Sequence, residues 1–146
     1  MNNVLDPADR RRLMDRLGRL TPESHRQWGT LSCGKMVCHL QDQVRVALGD
    51  LPVKDRSRWY LRGPVKWLAI YAPVRPPRGR IQTAPEMLHT DPEELDADRR
   101  RYEELVRRFV AADELHPHPM FGDLTRNQWG ILIARHADHH LRQFGV

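Results

Sequence analysis

Lysine is nearly missing from this basic chain. Of 24 basic side chains only Lys35, Lys54 and Lys66 are lysines, and the net charge is +5 with histidine neutral. The arginines are interleaved with acids, as in Asp98-Arg99-Arg100-Arg101-Tyr102-Glu103-Glu104. Such alternation makes a solvated helix face with local ion pairs. A nucleic-acid surface would need a one-sided basic stripe, with aromatics if it bound single strands. Nucleic acid is therefore not an expected partner. Cysteine is equally scarce. Cys33 and Cys38 stand alone, and their spacing is neither CxxC nor a disulfide framework, so they read as buried or half-buried thiols. Cys38 adjoins His39, which carries only a weak hint of a metal-proximal role.

Other absences narrow the class further. No run is long and apolar enough to span a bilayer, so no membrane partner is expected. Met1 to Arg12 has no apolar centre and does not read as a secretory signal, which leaves the cytoplasm as the expected compartment. Alternation of period two is missing over any useful length, so strands are not expected. There is no internal repeat, glycine-rich phosphate loop, GxSxG or paired CxxC. A chain of 146 residues reads as a single domain, 1–146, large enough to bury a core.

What the chain does have is helical periodicity. Asp6-Pro7 reads as an N-cap followed by proline in the first turn, with Leu13, Leu17 and Leu20 as the apolar stripe and Gly18 near the end. A second helix runs from Ser32 as N-cap to Gly49, with Met36, Leu40, Val44, Ala47 and Leu48 inward. A third opens near Thr90-Asp91-Pro92-Glu93-Glu94, where two capping boxes overlap, and turns Leu95, Tyr102, Leu105, Val106 and Phe109 to the core. Thr125 with Gln128 caps a fourth that runs nearly to Val146. Between residues 50 and 90 the pattern is irregular. Pro64 opens a short helix to about Ala72, a proline-rich basic stretch follows, and Thr83 to Thr90 reads as extended. The expected fold is all-α: a four-helix bundle with a long irregular crossover containing a short extra helix. The aromatic segment Trp59 to Tyr71 either covers the open side of the bundle or the mouth of a pocket within it, or makes a homodimer contact.

Three histidines close the chain in the run Arg135-His136-Ala137-Asp138-His139-His140. His136 and His140 share the helix face of Trp129, Leu132, Ile133 and Phe144, while Arg135, Asp138 and Arg142 take the opposite side. Imidazoles at i and i+4 can share one metal ion. His39 is the candidate third ligand, because it lies at a core edge on a helix distant in sequence. His139 points away from the pair, His116 and His118 are in a loop, able to reach the site mouth but less rigidly held, and His25 and His89 sit in loops without a pattern. Asp42, three residues after His39, either orients it as an acceptor or is a solvated acid. No general base and no other catalytic residue can be named.

The stretch His136-Ala137-Asp138-His139-His140-Leu141-Arg142-Gln143-Phe144-Gly145 resembles the closing HxxHH-x-x-Q signature of the DinB-like (YfiT-like) superfamily of metal-dependent helical bundles. Trp28-Gly29 followed by Met36 and His39, and His118-Pro119-Met120-Phe121-Gly122, resemble an uncharacterised branch of it. The resemblance implies a metal triad of His39, His136 and His140. It also implies a transferase or isomerase working through a low-molecular-weight thiol; the same metal could instead activate water, as in a hydrolase. The expected cofactor is a divalent transition metal, zinc or nickel, since imidazoles suit borderline ions. A small molecule is the expected substrate, and arginines from Arg75 to Arg80 could hold a carboxylate on it. Two alternatives stand beside the enzyme: a metal-containing binding or sensing bundle without turnover, and a DNA-associated stress protein.

Overall fold

The computed structural model describes residues 2–72 and 84–146, and everything below concerns these. The arginine-rich stretch from Arg75 to Arg80 and the beginning of the Thr83 to Thr90 segment lie outside them. Five α-helices follow one another: α1 Pro7–Leu17, α2 Cys33–Leu48, α3 Lys66–Tyr71, α4 Leu95–Ala111 and α5 Arg126–Gln143. Among the described residues there is no strand, only an isolated bridge between His118 and Gly122. No helix there is long and apolar enough to cross a membrane.

The helix ends follow local chemistry closely. Asp6 accepts from the backbone N–H groups of Ala8 and Asp9, and Pro7 sits where its missing N–H is not needed. Ser32 accepts from the Lys35 N–H, and α2 stops at Gly49 with φ of 80°, a left-handed conformation that L side chains rarely adopt. Thr125 and Gln128 form the reciprocal capping box at the start of α5.

The third long helix departs from its sequence signal. It begins at Leu95, not at Thr90, and its N-cap residue Glu94 makes no side-chain cap. The side chains that could have capped it are engaged across the fold. Thr90 Oγ1 donates to Asp42 Oδ1 at 2.6 Å, and Asp91 pairs with Lys35 Nζ at 2.8 Å. Asp98 supplies the missing acceptor from one turn inside, taking the Glu93 N–H at 3.1 Å. Pro92 packs on α2 so closely that a Cβ on Gly34 would lie 2.8 Å from its own Cβ.

α2 is the central element. It packs against α4 and α5 and against the turn Pro85–Leu88. Its sequence stripe of Met36, Leu40, Val44 and Ala47 is buried, but so are Gln41, Asp42 and Gln43. Gln41 Nε2 donates to the Asp98 carbonyl at 3.0 Å, and Asp42 Oδ1 accepts from Thr90 and Arg45, whereas Asp42 Oδ2 is buried without a hydrogen bond. Val4, Leu17, Leu20, Tyr102, Phe109, Trp129 and Ile133 complete the core.

α5 is wrapped on several sides, which overturns a simple inside-outside reading of it. Its most buried stripe is Trp129, Ile133, Ala137 and Leu141, and His136 and His140 lie half-buried on its flank. The supposed solvent side is occupied too. Asp138 bridges Arg16 of α1 and Arg142, while Arg135 Nη1 donates to the Ala72 carbonyl at the end of α3. α3 starts at Lys66 and not at Pro64, because a wider π-helical turn, Leu61–Val65, runs through Pro64 ahead of it, with Gly63 outside the helical region at φ −108° and ψ −109°. Its residue Ile70 goes inward and seals against the core, whereas the neighbouring aromatics stay outside.

Candidate metal centre

Histidines from two helices meet at one point. His39 leaves the middle of α2, and His136 and His140 leave consecutive turns of α5. His39 Nε2 lies 3.0 Å from His136 Nε2, and His140 Nε2 lies 3.2 Å from the same atom. The one ligand atom offered by each ring lies within 4.8 Å of the other two. The rings meet edge to face, with centroids 4.6 to 4.9 Å apart. Among the described residues no other histidine, cysteine, aspartate or glutamate joins such a group.

The outer nitrogens decide what the inner ones can do. His39 Nδ1 lies 3.1 Å from the Met87 carbonyl, and His140 Nδ1 lies 2.9 Å from Gln143 Oε1. A carbonyl oxygen only accepts, so both Nδ1 atoms carry hydrogen and both Nε2 atoms turn bare lone pairs inward. Gln143 is held in turn, its Nε2 donating to the Trp28 carbonyl at 2.6 Å. This fixes which end of the amide faces the histidine. The Gln27 N–H also binds the Gln143 carbonyl at 2.7 Å. A Cβ on Gly29 would collide with Gln143 Nε2, which explains why glycine follows Trp28 here.

All three imidazoles are held neutral. Burial pushes His136 well below the ordinary histidine range, and the neighbouring His140 and His39 push it further. Burial and then His39 lower His140 to about 3. His39 is lowered by burial, against the opposing pull of the Met87 carbonyl.

The remaining sequence candidates fall elsewhere. Asp42 is 1 % exposed and turned to Thr90 and Arg45, so it is neither the orienting partner of His39 nor a solvated acid. The Met87 carbonyl does the orienting, from a turn that the sequence offered no reason to place there. Cys38 is buried toward α4, where burial and the carboxylates of Asp98 and Asp42 raise its thiol to about 12, and it is not part of the histidine group. His139 packs edge-on to Trp28 and to His140, with His25 and His89 exposed. His118 stacks on Phe121 at 4.6 Å and accepts the N–H groups of Met120 and Phe121 on Nδ1. Gln143 stands in the closing motif three residues after His140, a spacing that could have announced its contact. A separate cleft, lined by Asn3, Asp9, Arg12, Arg16 and Asp138, opens on the other face of α5.

Two expectations follow from this geometry. Gln143→Leu removes the acceptor that fixes the His140 tautomer and should weaken zinc affinity by about 10- to 100-fold at unchanged helicity. Gln143→Glu keeps an acceptor and should recover most of it. Equal affinity in all three proteins, measured by competition with a chromophoric chelator, would remove Gln143 from the centre. The second expectation concerns acid. Burial lowers His39, His118, His136 and His140, His118 to about 4 and His140 to about 3. As pH falls below about 6.5 the unfolded chain takes up protons that the native chain refuses, so native stability declines until those lower values are reached. The slope is up to ~1.4 kcal/mol per pH unit for each such group. The melting temperature of chelator-treated protein should drop steadily from pH 7 to pH 4.5, and a flat profile would contradict the buried neutral histidines.

A family model described as "Protein of unknown function (DUF1569)" matches residues 3–145, and the chain belongs to that family. No curated protein matches, and no solved structure does. This corrects the DinB-like (YfiT-like) resemblance read from His136 to Gly145, because the matching family is a different one. The reason is physical. Two histidines one turn apart with a glutamine at i+3 is what any helix needs to present an oriented ligand pair, so the pattern is weak evidence of kinship. The thiol chemistry and the DNA-associated role drew on that resemblance and are dropped with it.

Proposed function

We propose that this DUF1569 member binds a divalent transition ion, zinc or nickel, through one Nε2 each of His39, His136 and His140, and uses it on a small-molecule substrate. In this reading α1, α2, α4 and α5 act as a four-helix bundle that holds the three rings rigid. The observation that carries it is the convergence of lone pairs. Two of the three Nε2 atoms are committed as acceptors by their outer hydrogen bonds. A proton on His136 Nε2 could bridge only part of the set, and His136 Nδ1 is already buried without a partner. A cation at the centre satisfies all three acceptors at once. Two of the three spacings suit one: ligands about 2.0–2.1 Å from a tetrahedral ion lie roughly 3.3 Å apart, against 3.0 and 3.2 Å from His136 to the other two rings, with all three atoms within 4.8 Å of one another.

Three protein ligands leave a fourth position, and no further ligating side chain among the described residues fills it. An ion so held supplies Lewis acidity and activates water near neutral pH. The chain's part is to orient the rings through Met87 and Gln143 and to keep them neutral by burial. A binding or sensing centre without turnover remains the second reading. It draws on Asp42, which is turned away to Thr90 and so offers no base at the site. Elemental analysis of untagged protein after exposure to zinc and nickel should find about one ion per chain. A fully helical protein that stays metal-free would refute the proposal.

A further inference from the structure

We infer that the segment from Lys54 to Leu68 docks peripherally on an anionic phospholipid surface. Among the described residues the exposed large apolar side chains are Trp59, Tyr60, Val65, Trp67 and Leu68, all within ten residues of one another. Trp59 is 84 % exposed and Trp67 61 %. These side chains are presented from a frame that is fixed behind. Ile70 and Ala72 are buried, the Arg56 N–H binds the Pro119 carbonyl at 2.7 Å, and Arg135 holds the Ala72 carbonyl at 2.8 Å. On the outward side the ring contacts are among neighbours, Trp59 with Tyr60 and Trp67 with Tyr71.

Charge chooses the occupant. Lys54, Arg56, Arg58, Arg62 and Lys66 stand in this segment against the single acid Asp55. Arg62 pairs with Asp55 and Arg56 with Glu86; the Lys54 backbone N–H also meets Glu86, while the exposed side chains of Lys54 and Arg58 form no ion pair among the described residues. Tryptophan and tyrosine settle at the headgroup level of a bilayer, aliphatic side chains enter the acyl boundary, and Lys and Arg bind anionic headgroups. All three kinds of side chain are present. A second copy of the chain would bring one cationic face against another. A nucleic-acid surface would stack bases on its aromatics and gain nothing from exposed Val65 and Leu68. An expectation of no membrane partner, drawn from the lack of a spanning run, does not bear on a peripheral face. This inference stands independently of the metal centre.

Sedimentation of the full chain with vesicles tests it. Mixed phosphatidylserine–phosphatidylcholine vesicles should pull the protein down at low salt with a blue shift of tryptophan emission. Phosphatidylcholine alone, or added salt, should weaken binding by about tenfold or more. Trp59→Ser with Trp67→Ser should do the same, and Lys54→Glu with Arg58→Glu should abolish the preference for the anionic lipid. These positions are exposed, so the melting temperature should not move. No sedimentation with the mixed vesicles would overturn the inference, as would binding that ignores the tryptophan substitutions. A single-stranded oligonucleotide that displaces the vesicles would assign the patch to nucleic acid instead. A dimer in light scattering that Trp67→Glu splits into folded monomers would assign it to a second copy.

Discussion

Replacing His136 by alanine should lower zinc affinity by two to three orders of magnitude. Structural zinc sites with four ligands bind with roughly 10–16 kcal/mol at pH 7, which is on the order of 3 kcal/mol for each ligand. His136 is the ring nearest to both others, at 3.0 and 3.2 Å, so on the proposed reading its loss also leaves the other two without their shared neighbour. The same holds for His140→Ala, while His39→Ala tests the ligand that arrives from α2. Thermal melting gives the cleanest reading. Free ion at about a thousandfold above Kd stabilises the native state by about 4 kcal/mol, on the order of 10 °C for a domain of this size. The unsubstituted protein should gain that increment when zinc replaces chelator, and each variant should gain only about 0.4–1.4 kcal/mol, a third of it at most. The control lies in the chelator arm. If the three rings were an ordinary hydrogen-bonded core cluster, the variants would lose stability there, and zinc would move no protein at all. A His39→Ala protein that binds like the unsubstituted one would show that α2 does not contribute a ligand.

Trp129→Ala should cost about 3–5 kcal/mol of stability, the range for deleting a buried aromatic side chain. Trp129 is fully buried among the core side chains of α5. Its Nε1 donates to the His116 carbonyl at 3.1 Å, and its ring supports His118 at 5.1 Å between centroids. The substitution therefore opens a cavity, strands a carbonyl and loosens the His118–Gly122 loop together. Against a total of roughly 5–15 kcal/mol for a domain, that loss approaches unfolding at ordinary temperature. Trp129→Phe keeps most of the apolar area and gives up chiefly the hydrogen bond, so a smaller loss of about 1–2 kcal/mol is expected. Urea denaturation followed by circular dichroism measures both. A loss below 1 kcal/mol for the alanine variant would mean that Trp129 is not the anchor of α5.

The family match sharpens what these experiments can teach. Membership in DUF1569 over residues 3–145 carries no activity with it, so the case for chemistry rests on the three rings and their outer partners. Metal content is the first decision, and the state of the fourth position is the next.

Helix identity and most helix ends were legible in the sequence because the groups that decide them are neighbours along the chain. Asp6 caps residues two and three places on, Thr125 and Gln128 cap one another, and Gly49 ends α2 by its own backbone freedom. The histidine pair was legible for the same reason, since i and i+4 share a helix face wherever the helix goes. His39 could be nominated from its helix and its distance in sequence, but only the packing of α2 on α5 brings its Nε2 to 3.0 Å from His136. Long-range contacts decided the rest. Thr90 and Asp91 carry a capping signal, yet they spend their side chains on Asp42 and Lys35, 48 and 56 residues away, and α4 starts late as a result. Asp42 sits one turn from His39 in sequence and serves another partner, whereas Met87 and Gln143 set the tautomers. Those partners are chosen by which backbone carbonyl and which amide lie within hydrogen-bond reach after the helices dock, a property of the packed fold and not of any local spacing.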